Sequence, residues 1–391
     1  MKVLILSCNT GAGHNVCAQA IREQALALGA QCEIYDALQF VSPFASRFIS
    51  SWHVRLYRHF PKIYAKSYSR TEADPDAFSD DSSAYRMLLR GCGPMREYLL
   101  AGGYDAAICT HLFPAMMLSA LERQAPLPLR TCFVATDYTA SPGCRQAQLS
   151  VCAIPSAALC DEFVRAGLSR ESLLPCGMPV RRAFFEAPEK AEAKRRQGLE
   201  PAQTHLLVMG GSMGCGPMEK ILLRLLRRLS EGCAVTVVCA GNEELKARLS
   251  FLCARRPEIR ILGYCKDMAG LLASADVYLT KPGGLSTSEA AALRVPMVLV
   301  NAVGGCEAHN LDFFVSMGCA VSAPTPKKIA GQCLALLTDD RKRARMARCC
   351  AELELESAAR TICAAVGVRR CLDFPHRVDY DQNINQKELL S

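Results

Sequence analysis

The chain has 391 residues, half of them hydrophobic, enough for two domains of ordinary size with full cores. No apolar run reaches the roughly 18–20 residues that span a bilayer, and the opening strand Val3–Leu6 leaves no room for a signal peptide. The formal net charge of +8 favours an anionic partner.

Strand and helix patterns alternate from the start. Strands are predicted at 2–7, 31–35, 105–109, 130–135 and 150–154, with helices at 14–29, 84–101, 113–123 and 156–166. The first strand runs into Asn9–His14 (NTGAGH), a glycine turn of the kind that lets backbone N–H groups meet an anion at a helix N-terminus. It lacks the GxGxxG spacing of a dinucleotide site, although Asp36 is a candidate to grip an adenosine ribose. His14 stands at the helix start on the carboxyl edge of the sheet. A neutral imidazole there can accept a proton, and the helix N-terminus disfavours its charged form. The same position also suits a simple helix cap. Thr110–His111 and Thr136–Asp137–Tyr138 follow the next strands at that edge, where ligands bind in such sheets. Asp137 can assist His14, act as the base itself, or serve as a turn or N-cap aspartate.

The stretch 37–82 breaks the alternation. Between Asp36 and Glu72 there is no carboxylate, while Arg47, Arg55, Arg58, Lys62, Lys66 and Arg70 interleave with aromatic residues. Phe40, Phe44, Phe48 and Trp52 recur four apart, which places them along one side of a helix. Such a segment suits docking on anionic lipid, or its rings complete the first core. Stacking rings and cations also fit single-stranded nucleic acid, but no nucleic-acid-binding module accompanies them, and no such partner is expected.

A breaker cluster at Pro175, Gly177 and Pro179 and the charged segment Glu186–Gln197 mark a linker over 176–200. Beyond it, strands at 204–209, 234–240, 259–262, 276–280, 296–300 and 319–321 alternate with helices at 217–231, 243–254, 267–274, 286–293, 307–317 and 326–337. The fold class is therefore α/β: two Rossmann-like, doubly wound parallel-sheet domains facing a cleft, over 1–175 and 201–340. Further helices are expected over 341–375, packing back on the first domain, with a loose polar tail at 376–391. The 22 cysteines fall within predicted elements and form no CxxC pair. They read as small core residues of a reduced, cytosolic protein.

In the second domain the turn Gly210–Gly216 (GGSMGCG) offers Gly211, Ser212, Met213 and Gly214 as a diphosphate cradle. It is not a P-loop, because no GK[ST] follows. Lys281–Glu289 (KPGGLSTSE) adds Lys281, Gly283, Gly284 and Ser286, and Glu289 is placed to accept two hydrogen bonds from a ribose diol. Ser286 and Glu289 also have the spacing of a capping box. Glu307 and Asn310, one helical turn apart, suit sugar hydroxyls or an ordinary polar face. Tyr264 is a further donor-site candidate. Two DxD strings, Asp74–Asp76 and Asp379–Asp381, read as solvated loops, and no metal is expected. Three glycine turns in two such domains point to a nucleotide-sugar transferase.

The strings SCNTGAGH (7–14), THLFPA (110–115) and ATDY (135–138) resemble those of monogalactosyldiacylglycerol synthases and processive diacylglycerol glucosyltransferases, glycosyltransferase family 28. GGSMG (210–214), KPGGLSTSEA (281–290) and CEAHN (306–310) look like the donor half of that family. The resemblance covers roughly residues 1–340. It implies a GT-B fold, acceptor on the first domain, UDP-hexose on the second, and an inverting, metal-free reaction at the inner face of the cell membrane. It implies His14 as base or base partner, Glu289 on the uridine ribose, 210–214 on the diphosphate, and Glu307 with Asn310 on the sugar. The implied acceptor is diacylglycerol or a glycosyl-diacylglycerol, met by His111 and by Phe44, Phe48, Trp52, Arg55 and Arg58 of the basic segment.

The chain departs from the family where a Pro-Gly-Gln-Glu lead-in becomes Gly304–Gly305–Cys306–Glu307, and where Thr139–Cys144 (TASPGC) follows the TDY string. Two other readings stand beside this one: an epimerase of UDP-N-acetylglucosamine, and a non-catalytic UDP-sugar binder.

Overall fold

The protein is seen in a computed structural model that describes residues 1–42, 44, 60–74, 76–211, 217–229, 231–300, 305–353 and 355–369, with the side chains of Pro61, Lys62 and Tyr64 left aside. The first sheet holds β1 (Lys2–Ser7), β2 (Gln31–Asp36), β3 (Ala106–Cys109), β4 (Arg130–Val134), β5 (Val151–Ile154) and β6 (Leu173–Pro175). All are parallel, in the order β2-β1-β3-β4-β5-β6. The second holds β7 (His205–Met209), β8 (Ala234–Val238), β9 (Ile259–Leu262), β10 (Val277–Thr280), β11 (Met297–Leu299) and β12 (Ala320–Ser322). It is also parallel, in the order β12-β11-β10-β7-β8-β9. Helices cover both faces of a parallel sheet, so its strands read as continuous apolar runs. In β1, Val3 and Ile5 enter one core while Leu4 and Leu6 enter another, as a side-chain period of two requires.

The helices that matter for the site are α1 (Ala12–Ala27), α2 (Pro61–Ala73), α3 (Leu112–Gln124), α4 (Gly284–Ala292), α5 (Cys306–Ser316), α6 (Asp340–Ala351) and α7 (Ala358–Ala365). The helix predicted at 84–101 is two, Ser83–Leu89 and Cys92–Gly102. They part at Gly91, where a β-carbon would stand 2.5 Å from Met117 Cε. The predicted aromatic stripe from Phe40 to Trp52 does not begin as one helix. Leu38–Val41 ends at Ser42, whose extended backbone is what a following proline, Pro43, demands. Phe40 is buried against Tyr35 and Tyr98 in the first core.

The expected linker carries structure. Strand β6 reaches Pro175, and short helices Arg182–Phe185 and Lys190–Arg196 follow. Lys194 is buried and ties this segment down: its Nζ lies 2.7 Å from Asp276 Oδ2 and donates to the Gln203 carbonyl at 2.7 Å. At the other end, α6 packs on α4 and α7 packs on α1, so the chain crosses back to the first sheet. One buried apolar cluster consequently runs from Val3 and Ile21 to Leu207, Tyr278 and Phe314. The described cysteines are all free and most are buried. Among the described residues, no helix is long and apolar enough to cross a membrane.

Candidate active site

The carboxyl edges of the two sheets meet, and so do the helix N-termini that follow β1 and β10. A polar chain shapes the first turn. Ser7 Oγ donates to Asn15 Oδ1 (2.6 Å), Asn15 Nδ2 to Asn9 Oδ1 (2.8 Å), and Asn9 Nδ2 to Asp36 Oδ2 (2.9 Å). Asp36 also accepts from Leu38 N, so its carboxylate braces the turn. His14, in the first turn of α1, has Nδ1 2.9 Å from the Thr110 carbonyl and 2.9 Å from Thr136 Oγ1. A carbonyl only accepts, so Nδ1 carries the proton and Nε2 is the basic nitrogen. The His111 ring stands edge-on to His14 at 4.4 Å, and its Nδ1 caps α3 by accepting from Phe113 N.

Three successive residues after β4 then reach into the second domain. Asp137 accepts from Asn310 Nδ2 at 2.8 Å. Burial pushes its carboxyl up to about 6; hydrogen bonds from Asn310 and the Cys306 thiol pull it down, and the Glu307 charge pushes it up. Tyr138 is 1% exposed. Its N–H donates to Asn310 Oδ1 at 2.6 Å, its Oη lies 2.8 Å from Ser288 Oγ, and its ring packs on Phe313 and Phe314 at 4.3 and 4.7 Å. Asn310 is fully buried and also donates to the Pro282 carbonyl. Its amide is therefore engaged across the domain boundary, where the sequence pointed to sugar hydroxyls.

On the donor side, α4 starts at Gly284 with Gly283 as its N-cap. The capping-box reading is overturned, because Ser286 lies inside the first turn and donates back to the Gly283 carbonyl at 3.1 Å. Glu289 instead faces Arg181 from the linker, with Oε1 3.6 Å from the guanidinium. Burial raises its carboxyl to about 7, against the lowering influence of Arg181. Lys281 is buried, with Nζ 3.1 Å from Glu307 Oε1. Gly211 has φ +71, and its turn passes so close to Lys281 that a β-carbon would meet Cε at 2.9 Å. Ser212, Met213 and Gly214 lie outside the described residues. Tyr264 is 80% exposed in the loop after β9.

Helix α2 from the basic stretch closes over the start of α5. The Tyr68 ring lies where a side chain on Gly305 would go, and Glu72 Oε1 is 2.8 Å from His309 Nε2. Phe60 and Ile63 at the start of α2, and Phe44, expose large apolar surfaces. Phe48, Trp52, Arg55 and Arg58 lie outside the described residues. Among the described residues, no three histidine, cysteine, aspartate or glutamate side chains cluster as metal ligands. Arg181, Ser288, Glu72 and His309 escaped the sequence reading. Each acts through a partner remote in the chain, and only the breakers Pro175, Gly177 and Pro179 hinted at a turn before Arg181.

Comparison with known proteins adds the family. Residues 14–180 match the family model described as monogalactosyldiacylglycerol (MGDG) synthase, and residues 215–349 match glycosyl transferases group 1. A processive diacylglycerol beta-glucosyltransferase of Staphylococcus epidermidis is 25% identical over 330 residues, which is 84% of this chain and 82% of that one. Over most of its length the chain is similar to these glycosyltransferases. Among solved structures, MurG of Acinetobacter baumannii superposes with a TM-score of 0.61 at 14% identity, covering 93% of this chain and 99% of that one. HepE of Anabaena in complex with UDP superposes with a TM-score of 0.55 at 14% identity, covering 93% and 97%. These likenesses show that the fold is GT-B.

Proposed function

We propose that the protein transfers a hexose from a UDP-sugar to a lipid hydroxyl, with diacylglycerol or a glycosyl-diacylglycerol as acceptor, at a membrane surface. The observation that carries this reading is the meeting of a basic histidine nitrogen on one sheet edge with a carboxylate-bearing helix N-terminus on the other. The names of the relatives supply the acceptor class, and the UDP complex of HepE supports the nucleotide.

In this reading the acceptor oxygen attacks the anomeric carbon. The bond from that carbon to the β-phosphate oxygen breaks, and UDP leaves with the electron pair on the face opposite the attack, which inverts the centre. The acceptor proton passes to His14 Nε2, with Asp137 as partner or as the base itself. Main-chain N–H groups at the start of α4 and in the turn after β7 face the diphosphate as negative charge develops. Glu289 takes the ribose hydroxyls, and Lys281 with Glu307 lies beside the sugar. The carboxylate-free, aromatic segment leading into α2 docks on anionic lipid.

Mass spectrometry of lipids, after incubation with UDP-glucose, UDP-galactose or UDP-N-acetylglucosamine and a membrane extract, tests this directly. A lipid heavier by one or more hexose units is the expected result. Unchanged lipids, with the free UDP-sugar altered instead, would favour the epimerase.

A further inference from the structure

We propose that the Thr136–Asp137–Tyr138 turn is a coupler, through which the donor domain holds Thr136 against His14 and so sets the base. This rests on His14 as the base and extends it, assigning positioning roles to Thr136, Tyr138 and Ser288.

The turn is gripped at every residue. Thr136 is 8% exposed, and its hydroxyl shares His14 Nδ1 with the Thr110 carbonyl, each at 2.9 Å. Its own carbonyl packs against Gly284 of α4, where even a β-carbon has no room. Asp137 is held by Asn310, and Tyr138 is buried between Ser288, Phe313 and Phe314. Consecutive Cα atoms are about 3.8 Å apart, so the grip on Tyr138 and the contact of Thr136 with His14 lie within two residues of chain, and a shift at one end bears directly on the other. With the domains engaged, two acceptors fix the Nδ1 proton and direct the ring. With the turn withdrawn, Nδ1 loses the Thr136 hydroxyl and keeps the Thr110 carbonyl, which belongs to the same sheet as His14. Acceptor activation is thereby tied to a seated donor domain.

The test uses the full chain, with the UDP-hexose and lipid that give product in the assay above. Thr136→Val keeps the shape and removes the hydroxyl. It is expected to lower kcat about tenfold, a part of the roughly 10²–10⁴-fold that a general base contributes, to shift the pH–rate profile, and to leave UDP affinity unchanged. Thr136→Ser should restore the rate. In ¹⁵N-histidine-labelled protein, His14 should keep Nδ1–H on the Thr110 carbonyl in both proteins, with its ring ¹⁵N resonances shifted in Thr136→Val as the second acceptor is lost, a readout independent of turnover. Tyr138→Phe and Ser288→Ala remove the contact on the donor side and should slow kcat modestly. Adding Tyr138→Phe to Thr136→Val should cost nothing further, because both act through one histidine.

Parental kcat and unchanged His14 ring resonances in Thr136→Val, with His14→Ala inactive, would overturn the coupler and leave the base intact. Fully additive losses in the double variant would also overturn it. An active His14→Ala would remove the base itself, and the coupler with it.

Discussion

Gly284 and Thr136 belong to different domains, yet a β-carbon on Gly284 would stand 2.3 Å from the Thr136 carbonyl oxygen. Backbone meets backbone there, so nothing flexible can yield. Gly284→Ala is therefore expected to force the two sheets apart, raise the radius of gyration in small-angle scattering, and cut turnover at least about tenfold. At the neighbouring Gly283 the nearest atom is the Ser286 hydroxyl at 3.3 Å, a side chain that can move. Gly283→Ala should leave the scattering curve near that of the parent.

Asp137 gives the reaction an acid limit. Its carboxyl, raised to about 6 chiefly by burial, must be ionised to assist proton removal, so kcat is expected to fall as pH drops through about 6. Asn310 donates to the charged form, and removing that donor disfavours ionisation. In Asn310→Ala the acid limb should move to higher pH, which a pH–rate profile of the two proteins checks.

Glu289 titrates close to neutrality, at about 7, because burial outweighs Arg181. UDP binding that favours the carboxylate should release a proton near pH 7 and weaken below it, seen as buffer-dependent heats in calorimetry. Arg181→Ala removes the one lowering influence, so the pH at which affinity declines should rise. The same raised carboxyls act on stability. The folded state holds these protons to higher pH than the unfolded one, so Asp137 and Glu289 make the protein less stable as pH climbs from about 4 to about 7.

His205 works in the opposite direction. It lies at the start of β7, fully buried, with Nε2 2.9 Å from Thr236 Oγ1 and Nδ1 3.1 Å from Ser274 Oγ. Burial lowers it to about 4 from the ordinary 6.5. The unfolded chain takes up that proton first, so stability from this residue is present above about 6.5 and is lost on acidification towards 4. Comparing thermal midpoints of the parent and His205→Gln across that range isolates the contribution. The gap should narrow as pH falls.

Much of the fold was legible because β1, β7 and β10 are uninterrupted apolar runs that end in glycine or Thr–Lys turns, and alternation with helices dictates parallel sheets. The site edge was legible for the same reason: His14, Asp137, Glu289 and Glu307 each follow a strand. Their partners were not. Nothing local to Arg181 ties it to Glu289, and nothing local to Tyr138 places its ring between Phe313 and Phe314. Asn310 read as a sugar contact or a polar helix face, and its burial in a contact that exists only once both domains have folded was not visible. The break at Ser42 was written in Pro43, but the four-residue spacing of aromatics masked it.

The most direct measurement is calorimetric titration of UDP into the parent and into Glu289→Ala. Heat of binding in the parent, with affinity reduced about ten- to a hundredfold in the variant, is the expected result, as befits the loss of hydrogen bonds to a charged group. No heat in the parent, or equal affinity in both proteins, would contradict a uridine nucleotide seated between the two sheets.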